Sequence, residues 1–490
     1  MARRPLYTAV AAAAAPRRNL LRSARFALTL RLPALGFMAG LVGAWNLASA
    51  QTPPVQHIYP HSTLQEIQQA IDNGGTVFFH YGEYNQIASS TPDLPPTPAN
   101  PAKGFNIGKY GKDVNIIGLS GPNGERPKIN GGTVAFRVGL FPEYGFVGLP
   151  VNFRIENLEL LNPDLHQAGT QYSRLGIFVR GVLGAQTTIT NCKIIVTGKD
   201  TDPSHAINIS SAIWFWLGGA QRPPSGARID ITNNEIHGTK VRMGIGLGHF
   251  FAETPDYTPP RFVLDNNTVE VEGLRGYGGS GGAIHLHGGL PNSVVTNNAV
   301  RGDARSPGFA YVSIGIFYQR GQEFASSNIT VVGNDASGFL GDFQLYLART
   351  VSGGMIHGNA FGSAGLVGVL CYGHENWFED NHFYGAYPGW EPAGSGPGLL
   401  WFANTNVSTS HGNKLVATKL NEWPYGFDVC CQVYDETDDP STPGYDGANQ
   451  IPGYERCQKK SVEFIQRMQE RKAEIEARLA EDQGPVLPPD

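Results

Sequence analysis

Along the central part of the chain, apolar and polar residues alternate in short runs that stop at an asparagine and resume beyond it. The phrase reads Thr188-Ile189-Thr190-Asn191-Cys192-Lys193-Ile194, and again Asp230-Ile231-Thr232-Asn233-Asn234-Glu235-Ile236. Closely similar copies surround Asn266-Asn267 and Asn297-Asn298. A period of two marks strands with one buried face. With Asn157, Asn191, Asn234, Asn267, Asn298, Asn334, Asn359, Asn381 and Asn413 as anchors, the steps are 34, 43, 33, 31, 36, 25, 22 and 32 residues. A recurring unit of this size is the signature of a solenoid. Asparagine suits a sharp corner because it tolerates the left-handed backbone region better than other non-glycine residues. Stacked asparagines can also hydrogen-bond up a ladder.

Ahead of the repeat, residues 62–75 carry Leu64, Ile67, Ala70 and Ile71 on one face of a predicted helix. Ser62 with Gln65, or Thr63 with Glu66, can close a capping box, and Gly74 or Gly75 can stop the helix. Residues 76–84 then alternate as a strand. This helix, Gly-Gly, strand and Gly-x-Tyr phrase resembles the N-terminal cap of the pectate-lyase-like family of right-handed parallel β-helices. The resemblance spans about residues 57–420. It implies an all-β fold: a right-handed single-stranded parallel β-helix, or solenoid, with an N-terminal capping helix over the open first coil, where bare strand edges would invite aggregation. Each coil is expected to hold three strands, with an asparagine corner after one and a Gly-rich loop before another. Residues 112–121 read as an early coil, and 87–103 as a surface loop.

The two ends differ from this body. Residues 1–50 read as an export segment: Arg3, Arg4, Arg17, Arg18, Arg22 and Arg25, then a mostly apolar stretch, then Ala48-Ser49-Ala50 as a small-x-small cleavage site. The alternative is an uncleaved anchor over Leu32–Ala50. The solenoid is expected over 51–420. Residues 421–490 form a cysteine-containing segment and a C-terminal helical appendage, with Val462, Ile465, Met468, Ile475 and Leu479 on one side of a helix over 461–481. The expected location is therefore secreted or periplasmic. Five cysteines are few for an exported scaffold. Cys192 and Cys371 are expected to be buried free thiols, and Cys430 or Cys431 can bridge to Cys457. A formal charge of -5 over 490 residues gives no basic field, which argues against nucleic acid as a partner. A polysaccharide is the expected partner. No membrane partner remains once the export segment is removed, and the sequence does not define an oligomeric state.

In enzymes resembling this family, substrate lies along one sheet, across the strand that follows the long loop. Alternation there predicts outward rows of Phe178 and Arg180, Trp214 and Trp216, Gly244, Gly246 and Gly248, His285 and His287, Gly315 and Phe317, Gln344 and Tyr346, and Tyr372 and His374. In the last coil Trp401 and Ala403 are expected inside, with Phe402 and Asn404 outside. A glycine floor beside aromatic faces suits a sugar chain. Arg180, Arg320, Arg349 and possible partners Lys240 and Arg242 supply positive charge. The expected binding residues are Arg180, Trp214, Trp216, His285, Phe317 and Tyr372.

The expected chemistry follows from which groups these rows contain. They hold no carboxylate pair of the kind that brackets a glycosidic bond in glycosidases. Nor do they hold the oxygen-ligand cluster by which pectate lyases of this architecture bind Ca²⁺. No metal site and no cofactor are expected. A metal-independent lyase or epimerase on a uronic-acid glycan fits better. Arg320 or Arg349 would neutralise the carboxylate. His287 or His374 would act as base, and Tyr346, Tyr318 or Tyr372 as acid; Lys240 with Arg242 is an alternative pair of base and neutraliser, as in some enzymes resembling this family. The alternatives are a non-catalytic carbohydrate-binding or surface structural β-helix, and a glycoside hydrolase with carboxylates on loops.

Overall fold

Three faces of parallel strands stack coil upon coil around a continuous apolar core. The structure is a computed structural model and describes residues 53–85, 104–130, 134–141, 146–162, 175–198, 210–219, 221–273, 279–303, 309–317, 324–386, 400–403, 410–420, 433–435 and 449–450. The fold is a right-handed parallel β-helix. The first face is a 12-stranded sheet running from Val55–Ile58 to Lys414–Val416. The second includes Lys193–Thr197, Glu235–Val241 and Thr268–Gly273. The third includes Leu175–Arg180, Ser211–Leu217, Met243–His249, Gly279–Gly288 and Phe309–Phe317. In two coils the strands Asp335–Leu347 and Ala360–Cys371 run from the second face onto the third without a loop, pairing with both. These coils are the short ones, with repeats of 25 and 22 residues.

The helix Leu64–Asn73 covers the first coil. Of the two expected capping boxes, the one that forms is Thr63 with Glu66, and Gly74 ends the helix at φ 74°. The export segment, the 87–103 loop, Cys430, Cys431, Cys457 and the 461–481 helix lie outside the described residues. No helix among the described residues is long and apolar enough to cross a membrane.

The corner between the first and second faces divides its work between two adjacent residues. One takes the left-handed conformation: Asn157, Asn191, Asn233, Asn266, Asn297, Gly333, Gly358, Asp380 and Ala417, with φ from 48° to 66°. The next residue points into the core. There Asn234, Asn267, Asn298, Asn334, Asn359 and Asn381 form a ladder. In each rung the backbone N–H and side-chain amide of one asparagine donate to the Oδ1 of the next, at 2.8–3.1 Å. The second amide proton goes to a first-face carbonyl, such as Leu264 O for Asn298 at 3.0 Å. A buried amide is thereby satisfied at every rung. Thr418 receives the last rung and Cys192 donates its backbone N–H to the first.

This corrects the phase read from sequence. Asn157 and Asn191 are left-handed corner residues, not ladder members; Leu158 and Cys192 hold the buried positions. Asn413 belongs to a second ladder, Asn376–Asn413–Asn449, at the corner that enters the first face. Cys192 and Cys371 are free and buried, as expected, and burial pushes each thiol up to about 12.

His249, at the end of its third-face strand, is fully buried. Nδ1–H donates to Gly289 O at 2.7 Å and Nε2 accepts from Tyr257 Oη at 2.8 Å. Burial drives its pKa down from 6.5 to about 4. Between those values the unfolded chain binds the proton and the native state does not, so unfolding free energy rises with pH. Stability should therefore fall by up to about 3 kcal/mol as pH drops from 6.5 to 4. Urea unfolding at several pH values checks this, and His249→Gln should flatten the profile.

Candidate functional site

The third face keeps the expected phase through most of its coils. Phe178, Trp214, Gly246, His285, Gly315 and Tyr346 pair in one outward row. Arg180, Trp216, Gly248, His287 and Phe317 pair in the next. Gln344 keeps its phase between the inward Phe343 and Leu345 but is covered, and donates to Phe339 O at 3.1 Å. Two expectations fail. Gly244 faces the core, where a Cβ would lie 2.6 Å from Val269. In the last coil Phe402 pairs with Cys371 and is fully buried, while Trp401 pairs with Leu370 in the Tyr346 row. Leu400-Trp401-Phe402-Ala403 is apolar throughout, so alternation has no polar residue to set its phase.

The expected glycine floor is filled by side chains from its own face. A Cβ at Gly315 would lie 2.2 Å from the Phe317 ring, which leans into the gap. There Phe317 stacks between His285, at 4.2 Å, and Tyr346, at 4.6 Å. Phe250 fills the space at Gly248, packing between Trp216 at 4.3 Å and His287 at 5.4 Å. The Met243 sulfur occupies the space at Gly246. Phe178 and Trp214 stack at 4.4 Å. The result is a chain of rings with His285 and His287 only 3% and 7% exposed. Arg180 lies beside the Phe141 ring, 5.9 Å from its centroid, and Tyr318 and Arg320 are outside the described residues. Lys240 holds a left-handed corner and Arg242 is buried. His287 and Tyr346 sit two coils and two residues apart, about 12 Å between backbones by strand spacing. They do not meet as base and acid.

Other expected residues do come together, at the corner where the third face turns into the first. Tyr372 N–H donates to Leu347 O at 2.8 Å, and His374 N–H donates to Val351 O at 3.1 Å. Between those bonds one coil has only Gly373, whereas its neighbour has Ala348, Arg349 and Thr350. The two additional residues form a turn with Arg349 in it, beside the Tyr372–His374 segment. Gly373 is required there, because a Cβ would lie 2.5 Å from Val351 O. Tyr372 also packs edge-on against Tyr346 at 6.1 Å. On the following coil His411 O accepts from Glu375 N–H, and the His411 ring stacks on His374 at 5.2 Å and 11°. Below them the Asn376–Asn413 rung fixes both coils.

His374 is half-buried. Burial first, and the His411 imidazole second, hold its pKa below the usual histidine range, against a smaller opposing pull from Glu375. The corner thus places a neutral imidazole and a buried phenol, Tyr372 at 4% exposure, on one coil, and Arg349 on the turn of the coil before it. His411 was missed in the sequence, although a signal exists: His374-Glu375-Asn376 and His411-Gly412-Asn413 repeat one phrase 37 residues apart. Among the described residues no group of three or more His, Cys, Asp or Glu side chains is placed to hold a metal ion.

No family model and no curated protein matches the chain. Solved structures do. A Dettilon tailspike protein is 12% identical, with 80% of this chain and 70% of that one covered, at a TM-score of 0.38. The A-module of an Azotobacter vinelandii mannuronan C-5 epimerase is 13% identical, over 72% and 90%, at 0.33. A surface adhesin of Streptococcus pneumoniae is 12% identical, over 66% and 89%, at 0.30.

Proposed function

We propose that the protein is an exported enzyme acting on a uronic-acid polysaccharide, a lyase or an epimerase, with its reaction centre at the Arg349–Tyr372–His374 corner. The observation that carries this reading is the stacked His374–His411 pair. Burial, and after it the stacked His411 imidazole, keep His374 unprotonated at neutral pH, beside the one coil turn that holds Arg349. Arg349 binds the uronate carboxylate and lowers the cost of charge building on it. His374 removes the proton on the carbon next to that carboxylate. In a lyase the C–H electrons form a carbon–carbon double bond, the neighbouring glycosidic C–O bond breaks, and water protonates the departing oxygen. In an epimerase a proton returns to the same carbon from the opposite side and the chain stays whole.

The test is incubation with pectate, alginate and glycosaminoglycans. Ultraviolet absorbance reports unsaturated ends, and proton NMR reports inverted uronates. Arg349→Ala should raise KM by about tenfold or more, the value of a lost charge-assisted hydrogen bond. Glycan binding without either product across the panel would make the protein a binding module. New reducing ends without unsaturation would make it a hydrolase.

A further inference from the structure

We propose that the first face carries a further subsite for an acidic glycan, built on Trp377 and Lys414 and continuous with the corner; it rests on the reading of that corner as a uronate site. Trp377 follows His374 by three residues and opens its strand Trp377–Glu379 on the first face. Its side chain points away from the core, because Phe378, the next residue, is fully buried. Trp377 is 44% exposed, an unusual state for the largest apolar side chain, on the second-last strand of the first face. Its neighbours along the solenoid are Met355 on one side, 42% exposed, and Lys414 on the other.

Lys414 follows His411 by three residues, as Trp377 follows His374. The two coils therefore place the same pair of positions side by side: histidine at the corner, platform residue on the face. The Lys414 ammonium lies 5.7 Å from the Trp377 ring centroid. Two residues along the strands, Glu379 Oε2 lies 3.5 Å from His357 Nδ1, on the side away from Lys414, and Val416 is exposed. Lys414 is thus the positive group beside an exposed aromatic ring, and the nearby carboxylate of Glu379 lies next to His357.

That combination suits a sugar ring bearing a carboxylate. The C–H face of a pyranose covers the indole and the carboxylate meets the ammonium. Three residues of chain reach at most about 10 Å. A glycan bound at His374 can therefore continue directly onto Trp377. The corner would select the reacting unit, and the platform would reward substrates long enough to reach it.

The test measures Kd for uronate oligosaccharides of increasing length, by calorimetry, on wild type, Trp377→Ala and Lys414→Ala. Wild type should bind a hexasaccharide at least tenfold more tightly than a disaccharide. Trp377→Ala should erase most of that difference. Lys414→Ala should weaken the hexasaccharide and flatten its salt dependence. Because the Trp377 ring is exposed, an unchanged thermal midpoint should accompany the loss. An unchanged length dependence in Trp377→Ala, with the corner still binding, would overturn the subsite and leave the corner reading standing. Equal Trp377-dependent binding of a neutral glucan would overturn its acidic selectivity. A dimer in sedimentation that Trp377→Ala dissociates would assign the face to a second copy instead. Wild type that binds no uronate oligosaccharide at all would overturn both readings.

Discussion

Asn298→Ala should lower the unfolding free energy by about 3 kcal/mol or more, the cost of stranding several buried polar groups at once. The Asn298 side chain accepts from the N–H and amide of Asn267 and donates to Leu264 O and to Asn334 Oδ1. Alanine removes all four bonds in a site closed to water: the Asn267 N–H and amide lose their shared acceptor, Leu264 O loses a donor, and Asn334 Oδ1 keeps only the Asn298 backbone N–H. The neighbouring Asn297→Gly is the control. Asn297 is exposed at φ 54°, a conformation glycine adopts freely, so that change should cost only a few tenths of a kcal/mol. Urea denaturation of the two variants separates the roles of two adjacent, chemically identical residues. Similar losses in both would mean that the corner conformation, and not the buried ladder, carries the stability.

His374→Gln should reduce kcat by about 10²–10⁴-fold, the usual contribution of a general base. Glutamine keeps much of the shape and can still hydrogen-bond, so a large loss would point to proton transfer and not to packing. The pH profile makes the claim sharper. His374 must be neutral to act, and its pKa is held below the ordinary imidazole value of 6.5. Activity should therefore rise with pH through a point below 6.5 and reach its plateau by neutrality. His411 is a positioning residue that also disfavours the charged form of His374. Its replacement by Gln should move the acid limb to higher pH. A limb that stays in place would separate His411 from the chemistry, and a plateau unaffected by His374→Gln would remove the corner as reaction centre.

The sequence made the solenoid legible because alternation and the asparagine spacing both survive in a single chain. It was less clear about phase. Where two asparagines stand together, either one can be taken as the repeating residue. Only the folded corner shows that the first bends the backbone while the second enters the core. Where Asn191 stands alone, the buried place falls to Cys192, whose thiol lies 3.8 Å from Ile155 O in the position an amide would take. Single apolar residues such as those around Trp401 carry no phase at all.

The candidate site was legible as a set of residue types and not as a grouping. His374, Tyr372 and Arg349 were each identifiable from their own strands. Their meeting depends on a two-residue difference in turn length between adjacent coils, which no periodicity encodes. The glycines misled for a related reason. Sequence shows a missing side chain but not the neighbour that fills its space, and Phe317, Phe250 and Met243 all reach sideways into gaps. Trp377 lies on the first face, outside the rows where alternation predicts a substrate surface.

The two buried thiols lie one at each asparagine ladder. Cys192 stands at the start of the first, and Cys371 lies within 4.0 Å of the Asn376 amide of the second. Neither can meet a reagent while its rung is closed, and neither forms thiolate readily even then. Their alkylation is consequently gated by local opening, and its rate, corrected for the free thiol, converts into an opening free energy at each place. The chain thus carries two internal clocks, one near the N-terminal part of the coil stack and one near the C-terminal part. They can show whether the solenoid frays from an end or unzips as a whole, with no label added to its sequence.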